Sequence, residues 1–362
     1  MSYLLNESNW LLCSVNHWGN LMSEKYRIFG AELSPYSVKT RSYFRYKNIP
    51  HKWVVRSPAN ADEFQKYARL PIVPLIITPE KEGLQDSTPI MDKMEEFFPE
   101  PKSNPDDEIL KFISILLEEY SDEWGNKHMF HYRWKAEVDQ ISASRRIAET
   151  NLPIYIKFLP VVNTLMKNKI AKTVKERMSD RLWVIGSNEN TEDQITNSFH
   201  NLLLKLSLHL KDRKYVFGDK PSYADFGLWG QIYNSWTDPT PRKFIEEDYA
   251  DLLPWIDRML NPKDEGSYEL WDSLSNTLMP ILKEEVGEIF LPWTSEITAS
   301  MSEGKEELSV MIKGKEFTHS IGGPQKYHVK SLAVLKSKFD TFKGNQTLEN
   351  ILAEANCLRF LQ

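Results

Sequence analysis

The sequence predicts an α/β domain followed by an all-helical one, and three observations carry that expectation. Residues 26–98 alternate short β-rich runs with amphipathic helical segments. Pro99-Glu100-Pro101-Lys102-Ser103-Asn104-Pro105 then puts three prolines into seven positions, which punctuates the chain. From Asp106 onward, Ile109, Leu110, Phe112, Ile113, Leu116, Leu117 and Tyr120 recur at i, i+3, i+4 spacing, the stripe of an amphipathic helix. The units expected are an extension over 1–25, an α/β domain over 26–101, a helical domain over 102–290 and a further extension over 291–362.

Within the first domain, Tyr26 to Gly30 reads as a strand stopped by glycine, and a polar loop through Glu32, Leu33 and Ser34 leads into a helix from about residue 36 to 47. Asn48-Ile49-Pro50 ends that helix, because proline disfavours the α conformation at the residue before it. Residues 51–55 make a second strand, 73–78 a third, and 88–98 another helix. The order is a βαβ start with a hairpin finish.

Composition narrows the class. The chain has 362 residues, ample for a buried core, with 41% hydrophobic and 27% charged residues, ordinary for a water-soluble protein. A net charge of −6 implies no sequence-independent affinity for nucleic acid. No apolar run reaches the ~18 residues that a membrane-spanning helix needs, and Trp10 to Val15 is too short and lacks a basic flank for a cleaved signal. Cys13 and Cys357 stand far apart, outside any metal-ligand spacing, which fits a reducing, cytoplasmic compartment.

Four local motifs, in order, give the first domain a family likeness. They are Ser34-Pro35-Tyr36-Ser37-Val38-Lys39-Thr40-Arg41 after the first strand, Lys47-Asn48-Ile49-Pro50-His51 at the entry to the second, Val73-Pro74, and Gln85-Asp86-Ser87. Together they resemble the thioredoxin-like domain of the glutathione S-transferase superfamily, in a Ser-type, bacterial-like member with extensions at both ends. The resemblance spans roughly residues 26–260. It implies an all-helical C-terminal domain after the thioredoxin-like one, glutathione as co-substrate, and a transferase that conjugates or cleaves a small, flat or aromatic electrophile.

The site residues follow from the resemblance and from physical chemistry together. Ser34 would donate a hydrogen bond to the glutathione thiolate at a helix N-terminus, where free N–H groups and the helix dipole favour negative charge. The competing reading is that Ser34 only caps the helix; Tyr36 and Ser37 are alternatives for the same contact. Val73 and Pro74 would hold the cysteinyl part of the peptide by backbone pairing. Asp86 and Ser87 would receive the γ-glutamyl ammonium and carboxylate, with capping as the plainer alternative. Lys66 or Arg69 would take the glycyl carboxylate.

In the second half, Tyr120, Trp124, His128 and His131 fall on one helical face, which the resemblance assigns to the second-substrate pocket; ordinary core is the alternative. His128 and His131 have no carboxylate partners at metal-binding spacing, so no metal is expected. Ser222-x-x-Asp225, after Tyr215-Val216-Phe217-Gly218, reads as a structural capping box. Residues 308–317 read as a small hairpin and 331–342 as a helix. The 11 Trp and 17 Phe, and the family's habit of pairing, predict a homodimer. The alternative function is a non-catalytic ligand-binding or protein-interaction module on the same fold.

Overall fold

The computed structural model describes residues 25–362 except Ile154, Tyr155, Lys157, Phe158, Gly323 and Pro324. The expectations for Trp10 to Val15 and Cys13 fall outside the described residues. The first domain is a four-stranded sheet in the order β2-β1-β3-β4. Strand β1 (Tyr26–Gly30) runs parallel to β2 (His51–Val55) across helix α1 (Pro35–Tyr46). A parallel pair of this kind needs a crossover connection, which α1 supplies. After the short helix α2 (Ala61–Tyr67), β3 (Leu75–Ile77) pairs antiparallel with β1, and β4 (Gly83–Gln85) with β3. At three residues, β4 is too short for alternation to reveal it in sequence. Helix α3 (Ser87–Phe97) completes the domain, a thioredoxin-like fold.

The long helix of the second domain is α4 (Glu108–Tyr120), a π-helical turn over Ser121–Gly125, and α5 (Asn126–Lys135). Helices α6 (Glu137–Asn151), α7 (Pro160–Ser179) and α8 (Glu192–Leu210) follow, the last two flanking a 3-10 turn at Leu182–Ile185. Helix α9 (Tyr223–Trp236) is buried along most of its length. Its start is fixed by the predicted capping box: Asp225 accepts from the backbone N–H of Ser222 at 2.9 Å and of Val216 at 2.8 Å, and from the Trp255 indole at 3.0 Å. At Gly230 a Cβ would stand 2.9 Å from the Pro35 carbonyl oxygen, so glycine lets α9 cross α1 in direct contact. The domains thus meet at the start of α1, where the polar loop delivers Ser34 and Tyr36.

Helices α10 (Pro239–Asp248) and α11 (Leu253–Arg258) complete the bundle, and α12 (Trp271–Ile281) continues through a π-helical stretch into α13 (Leu291–Ser302). The hairpin β5 (Glu307–Ile312) and β6 (Lys315–Ser320) lies where alternation puts it. Helices α14 (Lys326–Asp340), α15 (Gln346–Glu354) and α16 (Leu358–Leu361) fold back on the bundle. Phe339 and Phe342 pack on Phe112 with ring centroids 5.1 and 5.5 Å apart. One continuous core runs from Ile28 through the helical domain to Leu361. The aromatic surplus that favoured a dimer is therefore largely spent inside the chain: Trp124, Trp134, Trp229, Trp255 and Trp293 are all buried. Among the described residues no helix is long and apolar enough to cross a membrane.

Candidate functional site

A cavity of about 260 Å³ opens where the two domains and α14 meet. Its first-domain wall is Tyr36, Ile72, Val73, Pro74, Asp86 and Ser87; Asp122, Glu123, Asn126, Lys127, Val184 and Ile185 face it from the helical domain, and Tyr327 and His328 close the rim. Five residues singled out from the sequence, Tyr36, Val73, Pro74, Asp86 and Ser87, are thus brought together from three separate segments.

Local structure explains how each is presented. The Val73–Pro74 peptide bond is cis and immediately precedes β3. Gln85 holds the preceding loop: its side chain accepts from Arg69 N and Leu70 N and donates to the Leu70 and Ile72 carbonyls, at 2.6 to 3.0 Å. Asp86 stands at φ +79°, a backbone region that side chains other than glycine seldom adopt and that costs of order 1–3 kcal/mol. Its carboxylate makes no capping bond to α3, so the capping alternative does not describe it; Oδ2 instead accepts from the Tyr327 hydroxyl at 2.6 Å. The Ser87 hydroxyl donates to Asp122 Oδ2 at 3.4 Å.

Ser34 does not reach this cavity. Its Oγ accepts from the Ser37 backbone N–H at 3.3 Å, the capping geometry that was the competing reading. Its loop is clamped from the other domain, since buried Arg133 donates to the Leu33 carbonyl at 2.8 Å while its Nε pairs with Asp238 at 2.7 Å. Tyr36, two residues on, is the side chain of the SPYS motif that enters the cavity, and its hydroxyl donates to the Asp122 carbonyl at 2.8 Å. Burial, and then the carboxylates of Asp122, Glu123 and Asp86, hold its phenol pKa well above the usual value, so it is a donor and not a phenolate. Ser37 is fully buried and lies outside the cavity wall, as do Lys66 and Arg69.

The aromatic stripe on the long helix is corrected by the structure. Tyr120 and Trp124 are fully buried and His128 nearly so, and none lines the cavity. Tyr120 donates to Glu285 Oε2 at 3.1 Å, Trp124 donates to Ser198 Oγ at 2.9 Å, and His128 Nε2 lies 3.0 Å from the same hydroxyl. Helix α8 and the π-helical stretch before α13 cover that face, so the stripe is core. Burial pushes His128 down to about 3 and His131 down to about 4, and both stay neutral. Another face of the same helix, carrying Asp122, Glu123, Asn126 and Lys127, lines the cavity.

Beneath the cavity lies a buried charge cluster that the sequence did not disclose. Lys39 Nζ pairs with Asp122 Oδ2 at 2.6 Å and with Glu118 Oε1, and donates to Thr88 at 3.4 Å. Burial opposes its charge, but the two carboxylates outweigh that and hold its pKa above the ordinary lysine range. Burial raises Asp122 to about 7, against the lowering influence of Lys39, and among the described residues its Oδ1 has no hydrogen-bond partner. At the rim, His328 bonds Glu123; farther along α14, away from the cavity, Ser331 bonds Glu119 and Lys338 pairs with Asp92 at 3.0 Å. Helix α14 starts at Lys326, ahead of the residue 331 expected from the sequence, so Tyr327 and His328 are helical. Gly322-Gly323-Pro324 is the breaker cluster that would have moved the expected start one turn earlier.

A thioredoxin-like sheet domain joined to a helical bundle, with a cavity at the start of α1 and beside a cis-proline, defines the class. Residues 28–102 match the family model "Glutathione S-transferase, N-terminal domain", and residues 189–258 match "Glutathione S-transferase, C-terminal domain". Both matches support membership of the glutathione S-transferase superfamily. Similar solved structures include a glutathione S-transferase of Methylobacterium radiotolerans in complex with glutathione sulfonate, 16% identical, covering 68% of this chain and 98% of that one with a TM-score of 0.41. Others are a glutathione S-transferase of Rhodospirillum rubrum (15%, 64% and 86%, TM-score 0.41) and glutathione transferase GSTFuA3 of Phanerochaete chrysosporium (14%, 66% and 97%, TM-score 0.42). No curated protein matches the chain.

Proposed function

We propose that this chain is a glutathione transferase that binds glutathione in the cavity and directs its thiolate at a small electrophile. The observation that carries the reading is the convergence of Tyr36, Val73, Pro74, Asp86 and Ser87 on one cavity beside the start of α1. The Val73 backbone pairs with the cysteinyl residue as an added strand would. Asp86 takes the γ-glutamyl ammonium, and Ser87 with the N-terminus of α3 takes its carboxylate. The sulfur then lies near α1, whose N-terminus lowers the thiol pKa.

Tyr36 replaces Ser34 as the donor to the sulfur in this reading. The thiol proton leaves to solvent, the sulfur–carbon bond forms, and the leaving group departs with its electron pair or, in an addition, the acceptor carbon takes up a proton. The protein supplies thiolate and proximity rather than a nucleophile of its own. The same reading places the protein in the cytoplasm as a homodimer. Pairing would cover some of the apolar side chains left exposed, such as Ile72 beside the cavity and Val161 and Leu165 on α7.

One observation favours the second reading, a binding module. Tyr327 already occupies the carboxylate that would hold the γ-glutamyl ammonium. Calorimetric titration with glutathione, followed by a turnover screen with aromatic electrophiles, separates the two. Glutathione binding with turnover supports the transferase, binding without turnover supports the module, and no binding to wild type or to Tyr327→Phe removes the glutathione site.

A further inference from the structure

Lys127 is a buried amine on the cavity wall with no ion pair among the described residues. Its side chain is 2% exposed yet lines the cavity. Nζ donates to the Ile185 carbonyl at 2.8 Å and sits 3.9 Å above the Trp293 ring and 5.4 Å from Trp124. One carbonyl satisfies one of three ammonium donors, and ring faces supply only weak compensation.

The contrast with Lys39 is informative. Lys39 is as deeply buried and has two carboxylates of its own. Among the described residues Lys127 forms no ion pair, and each acid on the same cavity wall has a bonding partner elsewhere. Glu123 is bonded by His328, Asp122 by Lys39, and Asp86 by Tyr327. A lysine buried without its counter-ion is costly unless something restores one, and burial accordingly pushes its pKa well below the ordinary range, with Glu123 opposing. The position that restores one is the cavity itself.

Place within the cavity decides which ligand would do so. Lys127, Val184, Ile185 and His328 belong to the helical domain and to α14, whereas the proposed peptide cradle, Val73 to Ser87, belongs to the first domain. We propose that Lys127 anchors a carboxylate carried by the electrophilic substrate, so that the second substrate is a small apolar or aromatic acid. This rests on the transferase reading. The Trp293 face and the Ile185 carbonyl hold the ammonium in place, and the incoming carboxylate brings the charge that its surroundings omit.

The test compares 4-chloro-3-nitrobenzoate with its methyl ester, which removes the charge and keeps the ring and leaving group. Wild type is expected to favour the acid at least tenfold in kcat/KM, Lys127→Met to lose that preference, and Lys127→Arg to recover part of it. Equal use of acid and ester by wild type overturns the proposal without any variant, and so does a preference that survives Lys127→Met. Glutathione is titrated separately by calorimetry. An unchanged Kd in Lys127→Met is expected, whereas a tenfold loss there would assign the carboxylate to the glycyl end of glutathione and overturn the proposal. Calorimetry with 4-nitrobenzoate alone needs no glutathione. If wild type binds 4-nitrobenzoate through Lys127 but not glutathione, the transferase reading fails while the carboxylate anchor stands; if Lys127→Met binds it as wild type does, the anchor fails.

Discussion

Replacing Tyr36 by Phe, with Ser34→Ala beside it, decides which hydroxyl serves the thiol. In the present structure the Tyr36 hydroxyl donates to the Asp122 carbonyl at 2.8 Å, and its removal costs about 1 kcal/mol of stability. During turnover the same hydroxyl would donate to a thiolate, a charge-assisted bond worth about 1.5–3 kcal/mol, so Tyr36→Phe should slow the chemical step by roughly 10- to 150-fold. Glutathione affinity should change far less, because the ends of the peptide are held elsewhere. Ser34→Ala removes only a 3.3 Å capping contact and should cost about 0.5–1 kcal/mol of stability with turnover kept. Ultraviolet absorbance of the bound thiolate, steady-state rates and thermal unfolding measure the three quantities. A Ser34→Ala enzyme that loses the thiolate signal while Tyr36→Phe keeps it would refute the reasoning.

Four further outcomes are expected. Tyr327→Phe frees Asp86 and should tighten glutathione binding about tenfold by calorimetry, reflecting about 1.5 kcal/mol for the released bond to a carboxylate; unchanged or weaker binding would show that Tyr327 does not compete. Lys39→Met leaves Glu118 and Asp122 buried without their cation and should destabilise the fold by about 3–5 kcal/mol in urea denaturation, a loss under about 1 kcal/mol contradicting the cluster's role. Burial raises the Glu285 pKa from 4.5 to about 7, so the folded protein holds that proton more tightly than the unfolded chain, and this group's stability, complete below pH 4.5, is lost as pH rises to about 7. Glu285→Gln cannot titrate; its melting temperature relative to wild type should climb across that window and level off above it, and a constant difference would exclude the shift. Light scattering at micromolar concentration should give about twice the chain mass, and 42.3 kDa would rule out the homodimer.

What the sequence determined by itself is what local chemistry encodes. Short β-rich runs, the glycine ending β1, Asn48-Ile49-Pro50 and the Ser222–Asp225 capping box are read from neighbours a few residues away, and each appears in the structure. Val73-Pro74 and Asp86-Ser87 were legible for the same reason, as short motifs at the ends of elements. The choice between Ser34 and Tyr36 was not, because a helix N-terminus offers both and only the packing of α9 and Arg133 against the loop decides which side chain enters the cavity. Tyr120, Trp124 and His128 share a face in sequence, but α8 and the segment around Glu285 determine whether that face meets core or solvent. Lys127 shares another face with Asp122, Glu123 and Asn126, and only the packing of the first domain and α14 against it makes that face a cavity wall. Tyr327 and His328 lie about 200 residues or more from their partners Asp86 and Glu123. Contacts at that separation depend on how the chain returns, and local pattern carries no record of them.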